Sequence, residues 1–93
     1  MSKRMDERGM MQVETIDEPV EVGARFGARG MRPVWFLWQG NRCDITEITS
    51  TWCERDGAQV HYCFSVMSGA GWYELRFDSR ALRWRLTSVA LDG

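Results

Sequence analysis

The side chains best suited to chemistry in this 93-residue chain are three cysteines and one histidine. Cys43, Cys53 and Cys63 are spaced ten residues apart, and His61 lies two residues before the last of them. Thiolates and imidazole bind zinc, but structural zinc sites usually draw their ligands as close pairs such as Cys-x-x-Cys. The spacing instead favours cysteines that pack as small hydrophobic side chains, so we predict no metal and no cofactor.

Nucleophilic catalysis is also disfavoured by the sequence. His61 and Cys63 are predicted to lie in one strand with parallel side chains, whereas a catalytic Cys–His pair must be in contact. The chain has no Gly-x-Ser-x-Gly elbow and no glycine-rich loop that opens a helix and holds phosphate. We therefore predict that the protein is not an enzyme, and no small-molecule substrate is evident.

The composition indicates a soluble chain with no strong attraction to polyanions. Lys and Arg number 12 against 13 Asp and Glu, which gives a net charge of −1 and no global field toward nucleic acid or an acidic membrane. No stretch approaches the ~20 apolar residues of a membrane span, and the N-terminal region lacks the apolar segment of a secretory signal. Three cysteines do not make a disulfide framework. Reduced thiols in a bacterial cytoplasm are expected.

Hydrophobic periodicity divides the chain into a tail and one domain. Residues 1–17 carry no hydrophobic period and are predicted to be a flexible, disordered tail. Residues 18–93 are predicted to form a single β domain. Its first strand begins at Pro19, a position where a strand tolerates proline, and alternates apolar and polar residues as far as Phe26. Further alternating runs separated by glycine-containing turns bring the total to six predicted strands.

Two hairpins set the register of the predicted sheet. A type II′ turn at Gly40-Asn41 pairs the second strand with the third, and a loop at 68–71 pairs the fourth with the fifth. The predicted facing pairs are Trp38–Cys43, Phe36–Ile45, Val66–Tyr73, Phe64–Leu75 and Tyr62–Phe77. Between the hairpins, the apolar residues of the third strand change from odd to even positions, so we predict a bulge or corner around Thr46–Glu47. The predicted fold is all-β: a six-stranded antiparallel meander curled into a small, partly open barrel.

One outward face of this sheet combines arginine with tryptophan. The last hairpin is predicted to set Arg76 opposite Arg83 and Glu74 opposite Arg85, with Trp72 on the same face. Arginine beside an exposed tryptophan is typical of a platform on which single-stranded nucleic acid stacks. The alternative explanation is a solvated face in which Glu74 and Arg85 form a weak cross-strand ion pair.

A second outward surface is apolar. Trp35 and Leu37 point away from Phe36 and Trp38, and they form an exposed patch unless another part of the chain covers them. Exposed apolar patches mark protein interfaces. The alternative is a second core layer closed by the tail or by the first strand. A protein partner or a homodimer is therefore the leading interpretation, and single-stranded nucleic acid is the second.

Several segments of the chain resemble one known family. The segments are Ile16–Val22, Pro33–Arg42, Trp52, Tyr62–Val66, Tyr73–Leu75 and Trp84, in this order. Residues 16–90 are thus similar to a family of small bacterial domains of unknown function, in which a tyrosine is usual where this chain has Cys43. Similar segments also occur at the C-terminal end of proteins that resemble catalytically inactive Y-family DNA polymerases. The resemblance implies a small β domain with a role linked to DNA damage tolerance.

Overall fold

The computed structural model describes residues 12–91, and it assigns seven β-strands within them. The strands are β1 (Gln12–Gly27), β2 (Gly30–Trp38), β3 (Asn41–Asp44), β4 (Glu47–Asp56), β5 (Gln59–Ser68), β6 (Gly71–Asp78) and β7 (Arg83–Leu91). They form one antiparallel sheet in the order β3-β2-β1-β7-β6-β5-β4. Within the described range, no helix is long and apolar enough to cross a membrane.

The predicted all-β antiparallel fold is confirmed, whereas the predicted six-stranded meander is wrong. The sheet has seven strands, β3 and β4 are not neighbours in it, and β1 pairs with β7. The third predicted strand is divided in two, because the chain changes its pairing partner at Ile45–Thr46. There the backbone N–H of Ile45 donates to the carbonyl of Val34 on β2, at 2.9 Å. The next N–H, that of Thr46, donates to the carbonyl of Met67 on β5, also at 2.9 Å. The chain therefore turns a corner at Ile45–Thr46, close to the position predicted from the apolar pattern.

The sheet curls back on itself without closing into a barrel. Its two edge strands, β3 and β4, are joined only by Ile45 and Thr46. In a flat sheet of this width the edges would lie about 29 Å apart at a strand spacing of ~4.8 Å, which so short a link cannot span. The long β1 makes the fold-back, because residues 12–20 pair with β7 and residues 21–27 pair with β2. β3 and β4 do not pair with each other in the described sheet, so the sheet stays open.

β1 begins earlier than predicted. Residues 12–17 of the predicted tail form its first part and pair with β7, while residues 1–11 lie outside the described residues. A bulge between Thr15 and Glu18 explains why this part of the strand shows no regular alternation. At the bulge Asp17 has a φ of 59°. Arg85 holds it there: Nε donates to Asp17 Oδ1 at 2.6 Å, and the guanidinium also donates to the Asp17 carbonyl at 2.9 Å.

One of the two predicted hairpin registers is confirmed. β5 and β6 pair as predicted, with Val66–Tyr73, Phe64–Leu75 and Tyr62–Phe77 facing each other. The predicted β2–β3 register is wrong, because Phe36 faces Cys43 and Trp38 faces Asn41. The turn is Gln39-Gly40, and both residues have positive φ, at 53° and 78°. Two positive φ angles define a type I′ turn, which moves the pairing by two residues and leaves each side chain on its predicted face.

The core fills the concave side of the curled sheet. Its buried cluster consists of Phe36, Phe64, Val66, Tyr73, Leu75, Leu86 and Val89. Phe36 on β2 meets Tyr73 on β6 edge to face, with 4.9 Å between ring centroids. This contact joins the folded-back strands to the rest of the sheet. On β7, Trp84 packs against Phe64 at 5.7 Å and against Phe77 at 4.9 Å.

Candidate functional site

Trp72, Arg76, Arg83 and Arg85 lie together on the outer face of β6 and β7, and we call this set the β6–β7 face. The pairing predicted within it is wrong, since Arg76 faces Arg85 and Arg83 faces Asp78. The turn at residues 79–82 sets this register, because it closes the hairpin with Asp78 opposite Arg83. A bulge between Glu74 and Leu75 then sets Glu74 opposite Ser88. The bulge moves the inward positions of β7 from Leu86 to Val89, so it does leave a break in the apolar alternation, which reasoning from the sequence overlooked.

Carboxylates already engage two of the three arginines on the β6–β7 face. Arg76 forms an ion pair with Glu54, which lies two strands away on β4. Arg85 forms one with Asp17 at 2.6 Å. Two guanidiniums in facing positions are thereby neutralised from opposite sides, by β4 and by β1. The ion pairs explain how the fold tolerates two facing arginines, and they reduce the positive potential that this face presents.

A hydrogen bond to the neighbouring strand also holds the tryptophan of the β6–β7 face. Trp72 is half-buried, and its Nε1 donates a hydrogen bond to Ser65 Oγ on β5. Arg83 is exposed and forms no ion pair within residues 12–91. Cys63 lies on the same face, between Trp52 and Arg76 in the cross-strand row, and is fully buried. This outer face is therefore a packed layer, and Arg83 is its free cation among the described arginines.

Trp35 and Leu37 lie on the outer face of β2, on either side of the buried Phe36, and we call them the β2 surface. Trp35 faces Gly23 on β1. A Cβ atom built at Gly23 would overlap the indole, so the ring lies directly on the strand at a position without a side chain. The Arg42 guanidinium also lies over the ring, 4.9 Å from the indole centroid. The indole is thus held by two contacts, one with the backbone at Gly23 and one with the Arg42 cation.

The two side chains of the β2 surface differ in exposure. Trp35 is half-buried, and Leu37 is 37% exposed. Arg42 is kept in place over the indole by a 2.8 Å ion pair with Asp44. Reasoning from the sequence overlooked Gly23, although a glycine inside a strand often marks the close approach of another group. The β2 surface is a small apolar patch with a charged border.

The side chains that could take part in chemistry, the cysteines and His61, do not gather into one site. His61 Nε2 lies 3.7 Å from Asp78 Oδ2 on the outer face, whereas Cys53 belongs to the opposite face of β4. Burial, with smaller contributions from Glu74 and Cys53, raises the pKa of the Cys63 thiol to about 11. In residues 12–91 no group of three His, Cys, Asp or Glu side chains is placed to hold a metal ion.

The three thiols should react with a disulfide reagent in the order of their exposure. Cys53 is exposed, Cys43 is half-buried and Cys63 is buried with a raised pKa, so Cys63 should react only after unfolding. Reaction with an aromatic disulfide at pH 8, with and without urea, measures this order. Cys53→Ser should remove the fast phase. A fast phase that survives this substitution would contradict the assignment.

The curled sheet leaves a cleft where it fails to close. A cavity of about 400 Å³ lies between β2 and the start of β4, lined by residues that include Arg25, Arg32, Ile45 and Glu47. Its charged side chains come from both sides of the opening, and the structure brings no cysteine or histidine into it. The two candidate surfaces therefore remain the β2 surface and the β6–β7 face. No protein-family model matches the chain, and no curated protein or solved structure matches it either.

Proposed function

We propose that this domain is a non-catalytic interaction module that binds a protein, either a partner or a second copy of the chain, through the β2 surface. The observation that carries the proposal is the fixed indole of Trp35 beside the exposed Leu37. Tryptophan and arginine dominate the binding energy of protein interfaces, and here Arg42 lies over Trp35. A side chain that is already held in one position loses little conformational entropy when a partner binds.

Single-stranded nucleic acid is the second candidate ligand, and it would bind the β6–β7 face. The observation in its favour is that Trp72, Arg76, Arg83 and Arg85 share that face. The ion pairs of Arg76 and Arg85 work against it, because each carboxylate offsets charge that a phosphate would need. The net charge of −1 adds no long-range attraction. These charges favour a protein over a nucleic acid.

The resemblance of residues 16–90 to small bacterial domains supports a place for this module in DNA damage tolerance. Similar segments stand at the end of chains that resemble catalytically inactive Y-family polymerases, a position suited to the recruitment of another protein. Under this proposal, the module acts in the bacterial cytoplasm as a contact point between proteins. It needs no cofactor for that role.

Replacing Leu37 by glutamate should weaken partner binding at least about tenfold, or about 1.4 kcal/mol. The interface loses an apolar contact and must desolvate the added carboxylate, whose facing residue Arg42 is already paired with Asp44. The matched control is Leu82→Glu, since Leu82 is 71% exposed and lies in the turn between β6 and β7. Capture from native lysate on the immobilised domain, followed by affinity measurement with the captured protein, compares the two variants. If Leu37→Glu captures the same proteins as Leu82→Glu, the β2 surface is not the interface.

A further inference from the structure

We propose that the domain forms a two-fold homodimer through the free edge of β4, which pairs antiparallel with β4 of a second copy. This inference goes beyond the proposed function, because it uses a different surface from Trp35 and Leu37. β4 is the outermost strand of the sheet and pairs only with β5 among the described strands. An unpaired edge strand presents a row of free N–H and C=O groups and is a template for pairing with another strand.

Hydrogen bonds made by β5 show which of its backbone groups point toward β4. The carbonyl of Met67 accepts the N–H of Thr46 at 2.9 Å, and the carbonyl of Ser65 accepts the Thr49 hydroxyl at 3.1 Å. The carbonyl of Val60 points the other way and accepts an N–H from the segment that follows β6. Odd-numbered residues of β5 thus direct their backbone groups to β4, and even-numbered residues direct theirs to β6.

The same alternation identifies the groups on the free edge of β4. Ser50 and Trp52 face odd-numbered residues of β5, so their N–H and C=O groups are used in the β4–β5 ladder. Thr51, Cys53 and Arg55 alternate with them and direct their backbone groups away from the sheet. All three residues are exposed. The free edge therefore offers three consecutive donor–acceptor sites to another strand.

The side chains of β4 do not block such pairing. Residues 48–53 carry no charge, and β4 contains neither lysine nor proline, the residues with which proteins commonly protect an edge. A bulge between Ile48 and Ser50 disturbs only the beginning of the strand. The regular part, residues 50–56, includes all three edge-facing residues. Pairing confined to this part meets no irregularity.

Self-complementarity selects one register for the pair. Centring the two-fold axis on Cys53 sets Thr51 of each copy opposite Arg55 of the other and forms about six interstrand hydrogen bonds. Trp52 then faces Glu54 of the second copy, and no like charges oppose each other. Centring the axis on Glu54 would instead set two carboxylates face to face, which is destabilising. Centring the axis on Trp52 also opposes no like charges, but it forms only about four hydrogen bonds within residues 50–56. Charge and hydrogen bonding together favour the pair centred on Cys53.

The inner apolar face of the sheet points to a second copy as the occupant of this edge. One cross-strand row on that face consists of Val20, Trp84, Phe77, Tyr62 and Cys53. Tyr62 is 38% exposed, and nothing in the described structure continues the row beyond Cys53. A two-fold axis at Cys53 continues the row with Cys53 and Tyr62 of the second copy. An identical strand therefore extends the apolar row and, in the same register, sets no like charges opposite each other.

Sedimentation of Thr51→Pro against Thr51→Val tests the proposal. The wild-type chain and Thr51→Val should dimerise with concentration, whereas Thr51→Pro should raise the dissociation constant at least about tenfold, since each copy loses an N–H bonded only across the dimer. Proline is tolerated on an edge strand when its N–H is not used within the sheet. Leu37→Glu should still dimerise, which separates this inference from the proposed function. A wild-type chain that stays monomeric up to about 1 mM would overturn the dimer.

Oxidative cross-linking provides a second test that leaves β4 unaltered except at one sulfur. The proposed register places the two Cys53 Cα atoms about 5.5 Å apart, within the range that a disulfide spans. Diamide, which takes up the two thiol hydrogens, should convert the wild-type chain and Cys43→Ser to a covalent dimer. Cys53→Ser should remain monomeric on a non-reducing gel. A dimer linked through Cys43, or no covalent dimer at all, would overturn the proposed pairing.

Discussion

Replacing Phe64 by alanine should lower the free energy of unfolding by about 3–5 kcal/mol, a large part of the total stability of a domain this small. Phe64 is 3% exposed and lies at the centre of the inner face, where its ring packs against Trp84 at 5.7 Å. Truncation removes this contact and leaves a cavity that the rigid neighbouring strands cannot fill. Urea denaturation followed by tryptophan fluorescence measures the change.

The matched control for Phe64→Ala is Phe26→Ala. Phe26 is 78% exposed, so the same truncation should change the free energy of unfolding by no more than about 0.5 kcal/mol. Equal effects at the two positions would contradict the described core. An unchanged denaturation midpoint for Phe64→Ala would do so as well.

Replacing Gly23 by alanine should destabilise the fold by about 1–3 kcal/mol, because the added methyl group overlaps the indole of Trp35 and displaces it from β1. The matched control is Gly27→Ala in the same strand. No atom lies within 4 Å of a Cβ built at Gly27, so alanine there should leave the stability unchanged or slightly higher. Thermal and urea denaturation of both variants test the difference.

A double-mutant cycle assigns the Gly23 effect to the indole. In a Trp35→Ala background, alanine at position 23 has no ring to displace, so most of its destabilisation should vanish and the two substitutions should couple by about 1 kcal/mol or more. Additive effects would show that Trp35 does not rest on Gly23. The β2 surface would then lack the fixed indole on which the proposed function depends.

The β5–β6 hairpin could be predicted from the sequence because each level of the pattern agrees there. Val66, Phe64 and Tyr62 alternate with polar or small residues, and a loop of fixed length sets them opposite Tyr73, Leu75 and Phe77. The β2–β3 register could not be predicted in the same way. Its turn requires a positive φ at Gln39, and a glutamine gives no sequence signal for that conformation.

The candidate surfaces were predicted as sets of residues, but their neighbours were not. Alternation alone places Trp35 and Leu37 on the outer face of β2 and the four residues of the β6–β7 face on one side. The contacts that decide their properties come from distant parts of the chain. Asp17 reaches Arg85 from a bulge, and Glu54 reaches Arg76 from two strands away. Strand order and the bulge at Asp17 set these contacts. Alternation does not encode strand order, and residues 12–17 show no regular alternation that would locate the bulge.

The central claim is that this domain binds protein and not nucleic acid, and a titration of fluorescent single-stranded DNA at about 150 mM salt tests it most directly. Because Arg76 and Arg85 are already paired with carboxylates, binding should be weaker than about 100 µM and unchanged by Trp72→Ala or Arg83→Ala. Micromolar or tighter binding that either substitution abolishes would contradict the account. Such binding would indicate that the β6–β7 face, and not the β2 surface, is the functional site.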